Sequence, residues 1–207
     1  RADEYFGWLE QEIRRLVKWA GGGAFVLFTS NYAMDLISKA TRQDFEAAGM
    51  KTFVQGELPK VEMIRQFTEA GNGVLFGTRS FFEGVDVQGD PLRLVILDKL
   101  PFSPLTPLRQ AEDDYLRRWA EQNVTKRNGS KLSQSELEFY PFDHITIPRM
   151  IVDMKQVHGR GLRTQSDRFV FALLDNRART KMYGRQKVVP ALPKAPDLYM
   201  IEQVAHW

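Results

Sequence analysis

Four short apolar runs are spaced along this chain, and they constrain its fold more than any other feature. They lie at 24–29 (AFVLFT), 73–77 (GVLFG), 92–98 (LRLVILD) and 168–175 (RFVFALLD). Each is nearly continuous rather than alternating apolar with polar. A strand of that kind is covered on both of its faces, which is the condition of a parallel sheet. Helical patterns stand between the runs. Phe6, Leu9, Ile13, Leu16 and Val17 recur at helical spacing over 3–20, and Gly21, Gly22 and Gly23 stop that helix. Residues 31–48 are helical in pattern and closed by Gly49, 51–55 read as a further short strand, and 59–70 as a helix opened by Pro59. Strands alternating with helices predict an α/β sandwich with a mostly parallel central sheet.

The pattern changes between Pro101 and Pro148. Residues 107–123 read as a helix, and a polar, basic stretch follows at 125–136 (TKRNGSKLSQSE). We read about 103–147 as a helical insertion at the edge or top of the sheet, with a mobile tip near Asn128 and Gly129. Pro148 is expected to open a helix carrying Ile151, Met154 and Val157 inward. Pro190, Pro193 and Pro196 mark a tail over about 188–207, ending in a short possible helix.

Composition excludes several functions. There is no cysteine, so a disulfide framework, a cysteine-held zinc or iron–sulfur cluster and a cysteine nucleophile are ruled out within this piece. The longest purely apolar run, 169–174, is too short to span a membrane. No basic segment followed by an apolar one opens the chain, so a cytoplasmic location is expected. The chain opens on Arg1 rather than Met and reads as a piece of a longer protein. Net charge is +3, but residues 149–187 carry ten Lys or Arg against three Asp. A basic C-terminal third suits a phosphate-rich partner.

Some apparent signals carry little. Gly21 to Gly23 precede a strand, whereas a dinucleotide fingerprint places its glycines after one. Asp98 ends a run that resembles a magnesium-holding strand, yet no GxxxxGK[ST] phosphate loop exists here, and Asp98 reads as a strand-end turn residue. Asn123 and Asn128 match the glycosylation pattern without any sign of secretion. His144, His158 and His206 are too scattered to suggest a metal site. No metal ligand is assigned.

Two segments do carry information. In an open α/β sheet, ligands bind beyond the C-terminal ends of the strands. Thr78, Arg79 and Ser80 follow one such end, and Glu83, Gly84 and Asp86 come next. Thr and Ser there can donate to a phosphate, and a carboxylate can accept from a ribose hydroxyl or hold an arginine. The second segment contains Gln156, Gly159, Arg160 and Arg163. At about 100° per residue, Gln156, Arg160 and Arg163 share one narrow helical face. Two guanidinium groups presented together match the oxygens of a γ-phosphate.

These segments resemble motifs V and VI of superfamily 2 DNA helicases, in the branch of DinG and XPD. Motif V there runs roughly S-x-x-E-G-x-D and later L-P-F, matched by Ser80, Glu83, Gly84 and Asp86 and by Leu100-Pro101-Phe102. Motif VI runs Q-x-x-G-R-x-I-R, matched by Gln156, Gly159, Arg160 and Arg163, with Leu162 at the place of the isoleucine. Residues 25–34 resemble motif IV, a strand ending in DNA-contacting Thr and Ser, here Thr29 and Ser30. Tyr140-Pro141-Phe142 and Pro148 resemble the family's stretch before motif VI. Asp175-Asn176-Arg177 and Tyr183-Gly184 resemble the D-x-R and Y-G that follow it. His158 and Gly161 depart from the pattern, and glycine inside a helix costs about 1 kcal/mol relative to Ala. The Walker A and Asp-Glu-x-His motifs and the family's cluster-holding cysteines are missing.

The resemblance therefore implies a second RecA-like motor domain, a three-layer α/β sandwich, over 1–207. It implies an ATP-dependent helicase translocating 5′→3′ on single-stranded DNA, with ATP and Mg2+ shared with a first motor domain of the same protein. Arg160 and Arg163 are then arginine fingers, and Gln156 lies at the γ-phosphate. Gly84, Asp86, Glu83 and Gly159 line the nucleotide. Thr29, Ser30, Thr78, Arg79 and Ser80 hold the DNA backbone. No iron–sulfur cluster and no membrane contact are expected in this piece, and the isolated chain is expected to be inactive. The competing expectations are a non-catalytic DNA- or protein-binding module and the motor part of a helicase-linked nuclease.

Overall fold

The computed structural model describes residues 2–81, 91–159 and 169–194. Its first helix, α1 (Ala2–Ala20), opens with Asp3 and Glu4, which favour the positive end of the helix dipole. It buries Leu9, Ile13 and Val17 completely. Three successive glycines in left-handed conformation, at φ 63°, 79° and 62°, then turn the chain into β1 (Ala24–Leu27). Gly22 has no substitute there, because a Cβ on it would lie 2.0 Å from the Asn72 carbonyl oxygen. The Arg93 guanidinium closes this end of the molecule by donating to the carbonyls of Ala20, Gly21 and Gly71 at 3.1–3.3 Å.

Ser30 caps α2 (Asn31–Ala47), its Oγ accepting from the Ala33 N–H at 3.2 Å. Then follow β2 (Thr52–Val54), α3 (Lys60–Ala70), β3 (Val74–Gly77) and β4 (Leu94–Leu97). Gly71, in left-handed conformation at φ 69°, ends α3. β5 (Val170–Leu173) comes after the helical excursion described below. The sheet order is β2-β3-β1-β4-β5, and every pairing is parallel. Phe25 of β1 lies level with Leu75 of β3 and Val95 of β4.

Side chains alternate across this sheet, and each face has its own core. Ala24, Val26 and Phe28, with Val74, Phe76, Leu94 and Ile96, face α1 and α2. Phe25 and Leu27, with Leu75, Val95 and Leu97, face α3 and a later helix, α6 (Ile147–His158). The result is the expected RecA-like three-layer sandwich. The near-continuous apolar runs are explained by this: β1, β3 and β4 are buried along their whole length.

The excursion is helical, as expected. Thr106 caps α4 (Pro107–Asn123), and Pro107 stands in its first turn. A turn with Gly129 at φ 81° follows, closed by a bridge between Thr125 and Lys131. Ser133 and Glu136 then form a reciprocal capping box at the start of α5 (Gln134–Pro141). The chain does not leave helical conformation after α5. Residues Phe142–Thr146 form a wide turn in which the Ile147 N–H bonds to the Phe142 carbonyl, and α6 (Ile147–His158) continues from it.

Pro148 stands in the first turn of α6, as expected, and α6 is joined to α5 through the wide turn rather than by a break in helical conformation. A proline lacks the N–H and crowds the carbonyl four residues back, and a wide turn is one way a helix absorbs both defects. Met154 and Val157 point inward as expected, joined by Met150 and Ile147. After β5 come the short α7 (Arg177–Thr180) and the segment Gly184–Val188, which keeps Val188 wholly buried. Gly184 is required where it is: a Cβ would lie 2.3 Å from the Arg177 carbonyl oxygen. Among the described residues, no helix is long and apolar enough to cross a membrane.

Candidate nucleotide and DNA interface

Because all five strands are parallel, their C-terminal ends meet along one edge. That edge collects Gln55 after β2, Thr29 and Ser30 after β1, Thr78 to Ser80 after β3, Asp98 to Phe102 after β4, and Asp175 to Arg177 after β5. Four of these five loops contain residues quoted above for the family resemblance.

After β1, Thr29 is held by Asp98 of the neighbouring strand end. Its N–H donates to Asp98 Oδ1 at 2.9 Å and its hydroxyl to Oδ2 at 3.4 Å. Asp98 is 1% exposed. Burial pushes its carboxyl up to about 6, against the opposing pull of the Thr29 N–H and the Lys99 charge. Asp98 does stand at a strand end, as expected, but it acts as a buried anchor rather than a solvated turn residue. Ser30 is exposed at the N-terminus of α2, where backbone N–H groups favour an anion.

After β3, Thr78 is mostly buried, and both its N–H and its hydroxyl donate to Gln55 Oε1, at 2.7 and 3.0 Å. Its hydroxyl is thus committed within the domain. Arg79 and Ser80 begin a single tight turn, Arg79–Phe81, and both are exposed. Phe81 folds back over Gly77, where a Cβ would lie 2.9 Å from its ring. Lys60 at the start of α3 donates to the Ser80 carbonyl at 2.5 Å, with its ammonium 5.1 Å from the Phe81 ring centre. Arg79 pairs with Asp153 of α6 at 2.5 Å.

After β4 and β5, one carboxylate organises two loops. Asp175 accepts from the Leu100 N–H at 2.9 Å, from the Arg177 N–H at 2.9 Å, and from the Arg177 side chain at 2.6–3.0 Å. Burial alone would raise this carboxyl. The hydrogen bonds from the Arg177 side chain and from the two N–H groups outweigh it and hold the carboxyl below its ordinary value. Arg177 also lies 5.4 Å from the centre of the Phe102 ring. The D-x-R and L-P-F elements read in the sequence are thus two halves of one contact. Tyr5, from the start of α1, completes the edge, with Lys99 4.4 Å above its ring. Burial, then the charges of Asp98 and Asp175, raise its phenol above the ordinary range.

On α6, Gln156 is half-buried and Gly159 is exposed at the helix end, where an added Cβ would meet nothing within 4 Å among the described residues. A ligand can approach closely there. His158 packs edge-to-face on Phe169 and Phe171 at 5.1 and 5.3 Å, and burial lowers its imidazole below the usual value. It does the work of the aliphatic residue expected at that place. Glu83, Gly84, Asp86, Arg160 and Arg163 lie outside the described residues. The structure thus brings Thr29, Ser30, Thr78, Arg79 and Ser80 to one edge and ties that edge to α6 three residues before Gln156. Among the described residues, no group of three acidic or imidazole side chains could hold a metal ion.

Sequence reasoning missed Gln55, Tyr5, Lys60 and Asp153. The signals were faint: a Gln directly after a strand, and a lone Asp on an otherwise apolar and basic helix.

Comparison with known proteins agrees with this architecture. A family model described as the helicase C-terminal domain matches residues 13–194. The ATP-dependent DNA helicase YoaA of Escherichia coli is 34% identical over 184 residues, which is 89% of this chain and 26% of that protein. The ATP-dependent helicase DinG of Mycobacterium tuberculosis is 32% identical over 173 residues, 84% of this chain and 23% of that protein. The Bacillus subtilis protein named 3′-5′ exonuclease DinG is 29% identical over 163 residues, 77% of this chain and 16% of that protein. A solved XPD helicase superposes with a TM-score of 0.60 at 20% identity, over 92% of this chain and 31% of that one, which is a likeness of fold. The chain spans about a quarter of the length of the first two of these curated relatives.

Proposed function

The chain belongs to the helicase C-terminal domain family, in its DinG-, YoaA- and XPD-like branch, and from that premise we propose that it is the second motor domain of an ATP-dependent DNA helicase moving 5′→3′ along single-stranded DNA. ATP with Mg2+ binds between this domain and a first motor domain of the same protein, which supplies the phosphate loop and the metal ligands. ATP hydrolysis supplies the energy of movement. On this side of the nucleotide, Arg160 and Arg163 stabilise charge on the transferring phosphoryl group. Gln156 orients the γ-phosphate region from α6, and Gly159 lets the ligand reach the helix end. Gly84, Asp86 and Glu83 approach the nucleotide from the segment after β3.

Thr29 and Ser30, with Arg79 and Ser80, hold the DNA backbone. Thr78 contributes less through its hydroxyl than by shaping the turn, since that hydroxyl is bonded to Gln55. The observation that carries this reading is the family match over 13–194, on a sheet whose loops bear the quoted residues in family order. The Bacillus relative's name keeps one variant of it, the motor part of a helicase-linked nuclease. The test is ATP hydrolysis with single-stranded DNA present, by the full-length protein and by this chain alone. The full-length protein should hydrolyse ATP and the isolated chain should not. Hydrolysis by the isolated chain would contradict a site shared between two domains.

A further inference from the structure

The pairing of Arg79 with Asp153 has a consequence for DNA binding. Arg79 stands on the exposed turn after β3, beside a second cation, Lys60, which is drawn onto the same turn through the Ser80 carbonyl. Two cations at one exposed strand end make a surface for a phosphate. Yet the Arg79 guanidinium is already occupied by a carboxylate at 2.5 Å. The two partners are unequally exposed. The Arg79 side chain is 55% exposed, and that of Asp153 only 13%. Asp153 is fixed in the wall of α6, and the arginine reaches across to it from the solvent side.

We propose that Asp153 is an internal stand-in for a DNA phosphate: in the free domain it holds Arg79, and a backbone phosphate of single-stranded DNA displaces it. This rests on the reading of the strand-end edge as a DNA-binding surface, and it assigns to Asp153 a role in setting how tightly that surface binds. A guanidinium bonds carboxylate and phosphate through the same forked donors, so the two compete for one geometry. The exchange also has a mechanical side. While the pair is intact, the β3 turn is tied to α6 three residues before Gln156, on an adjacent part of the helix surface. When DNA takes Arg79, that tie is released.

The exchange sets the expected size of the effect. With the arginine side open to solvent the pair is a modest competitor, and removing it should tighten DNA binding by about two- to fivefold. The experiment measures the affinity of the full-length protein for a fluorescein-labelled oligothymidylate by anisotropy, across a salt series. Four proteins are compared: wild type, Asp153→Asn, Arg79→Ala and the double variant. Asp153→Asn should bind more tightly than wild type. Arg79→Ala should bind more weakly and lose about 0.7 from its log–log salt slope, the share of one single-strand phosphate contact. The double variant should match Arg79→Ala, because the gain requires the arginine. Thermal melting of each variant identifies any affinity change that follows from unfolding, and Asp153→Ser serves as the second variant if Asp153→Asn melts early. The serine removes the charge in a smaller side chain, and it too should release Arg79 and tighten binding.

Three results would overturn the proposal alone: unchanged or weaker binding by folded Asp153→Asn, unchanged or weaker binding by Asp153→Ser used in its place, or a gain that persists without Arg79. The last would mean that only the loss of one negative charge matters. Failure of wild type to bind the oligonucleotide would instead remove the DNA-binding reading itself, and this proposal with it.

Discussion

Single buried polar residues fix the loops of the strand-end edge, and Asp98 shows how much one can do. Its carboxylate immobilises the Thr29 backbone, yet it stands in a site that disfavours its own charge. With a folded-state value of about 6 against an ordinary 3.8, the folded protein keeps a proton on Asp98 over a window where the unfolded chain has lost it. Native protein binding more protons than unfolded protein means that stability falls as pH rises. The Asp98 contribution is therefore fully present below about pH 4 and is lost as pH rises to about 6. Asp98→Asn cannot titrate, so its stability should change less than that of wild type over this window. Urea denaturation of the chain at a series of pH values measures the difference, and parallel profiles for the two proteins would show that Asp98 is not the titrating group. The sequence placed Asp98 at a strand end but could not reveal its burial, because its partner Thr29 is far away in sequence. Gln55 and Thr78 were hidden for the same reason. Ser30 was easier to read, since a cap acts within its own helix.

At the scale of elements, local chemistry was legible wherever it acts within a few residues. The runs of apolar residues became strands, shortened at their ends where the last polar residue turns into the loop. The triple glycine ended α1 as expected, and two of its members differ in a way that can be tested. Gly21 needs only its left-handed conformation, since an added Cβ would meet nothing within 4 Å. Gly22 needs the conformation and also the space, with the Asn72 carbonyl oxygen 2.0 Å from the same position. Gly21→Ala should cost about 1–2 kcal/mol, the ordinary strain of an L-residue in that region. Gly22→Ala should cost clearly more, because backbone must move as well. Chemical denaturation of both variants decides it, and equal costs would show that the close approach to Asn72 is not a constraint. Pro148 stands in the first turn of α6, as its place in the sequence predicts. The wide turn at Phe142–Thr146, which carries helical conformation from α5 into α6 without a break, has no simple sequence signal.

For the whole molecule, the sequence determined the architecture because the sheet is covered on both faces, which leaves an unmistakable apolar record in β1, β3 and β4. It determined the order of the loops, and so the candidate site, because family residues sit directly after those strands. It did not reveal the ties between loops: Arg79 to Asp153, Asp175 to Leu100, Thr29 to Asp98. These join segments distant in sequence, and only the closed fold sets them side by side. They tie the β1, β4 and β5 loops to one another and the β3 turn to α6, while Gln55 ties the β2 loop to the β3 loop. We propose that Arg160 and Arg163, which follow α6 in the sequence, act on ATP held by a partner domain. The most direct test is the ATPase rate of the full-length protein with saturating single-stranded DNA, wild type against Arg163→Ala. The account predicts DNA-stimulated hydrolysis by wild type and a fall of about three orders of magnitude or more in the variant. An active wild type with an unchanged Arg163→Ala variant would contradict it.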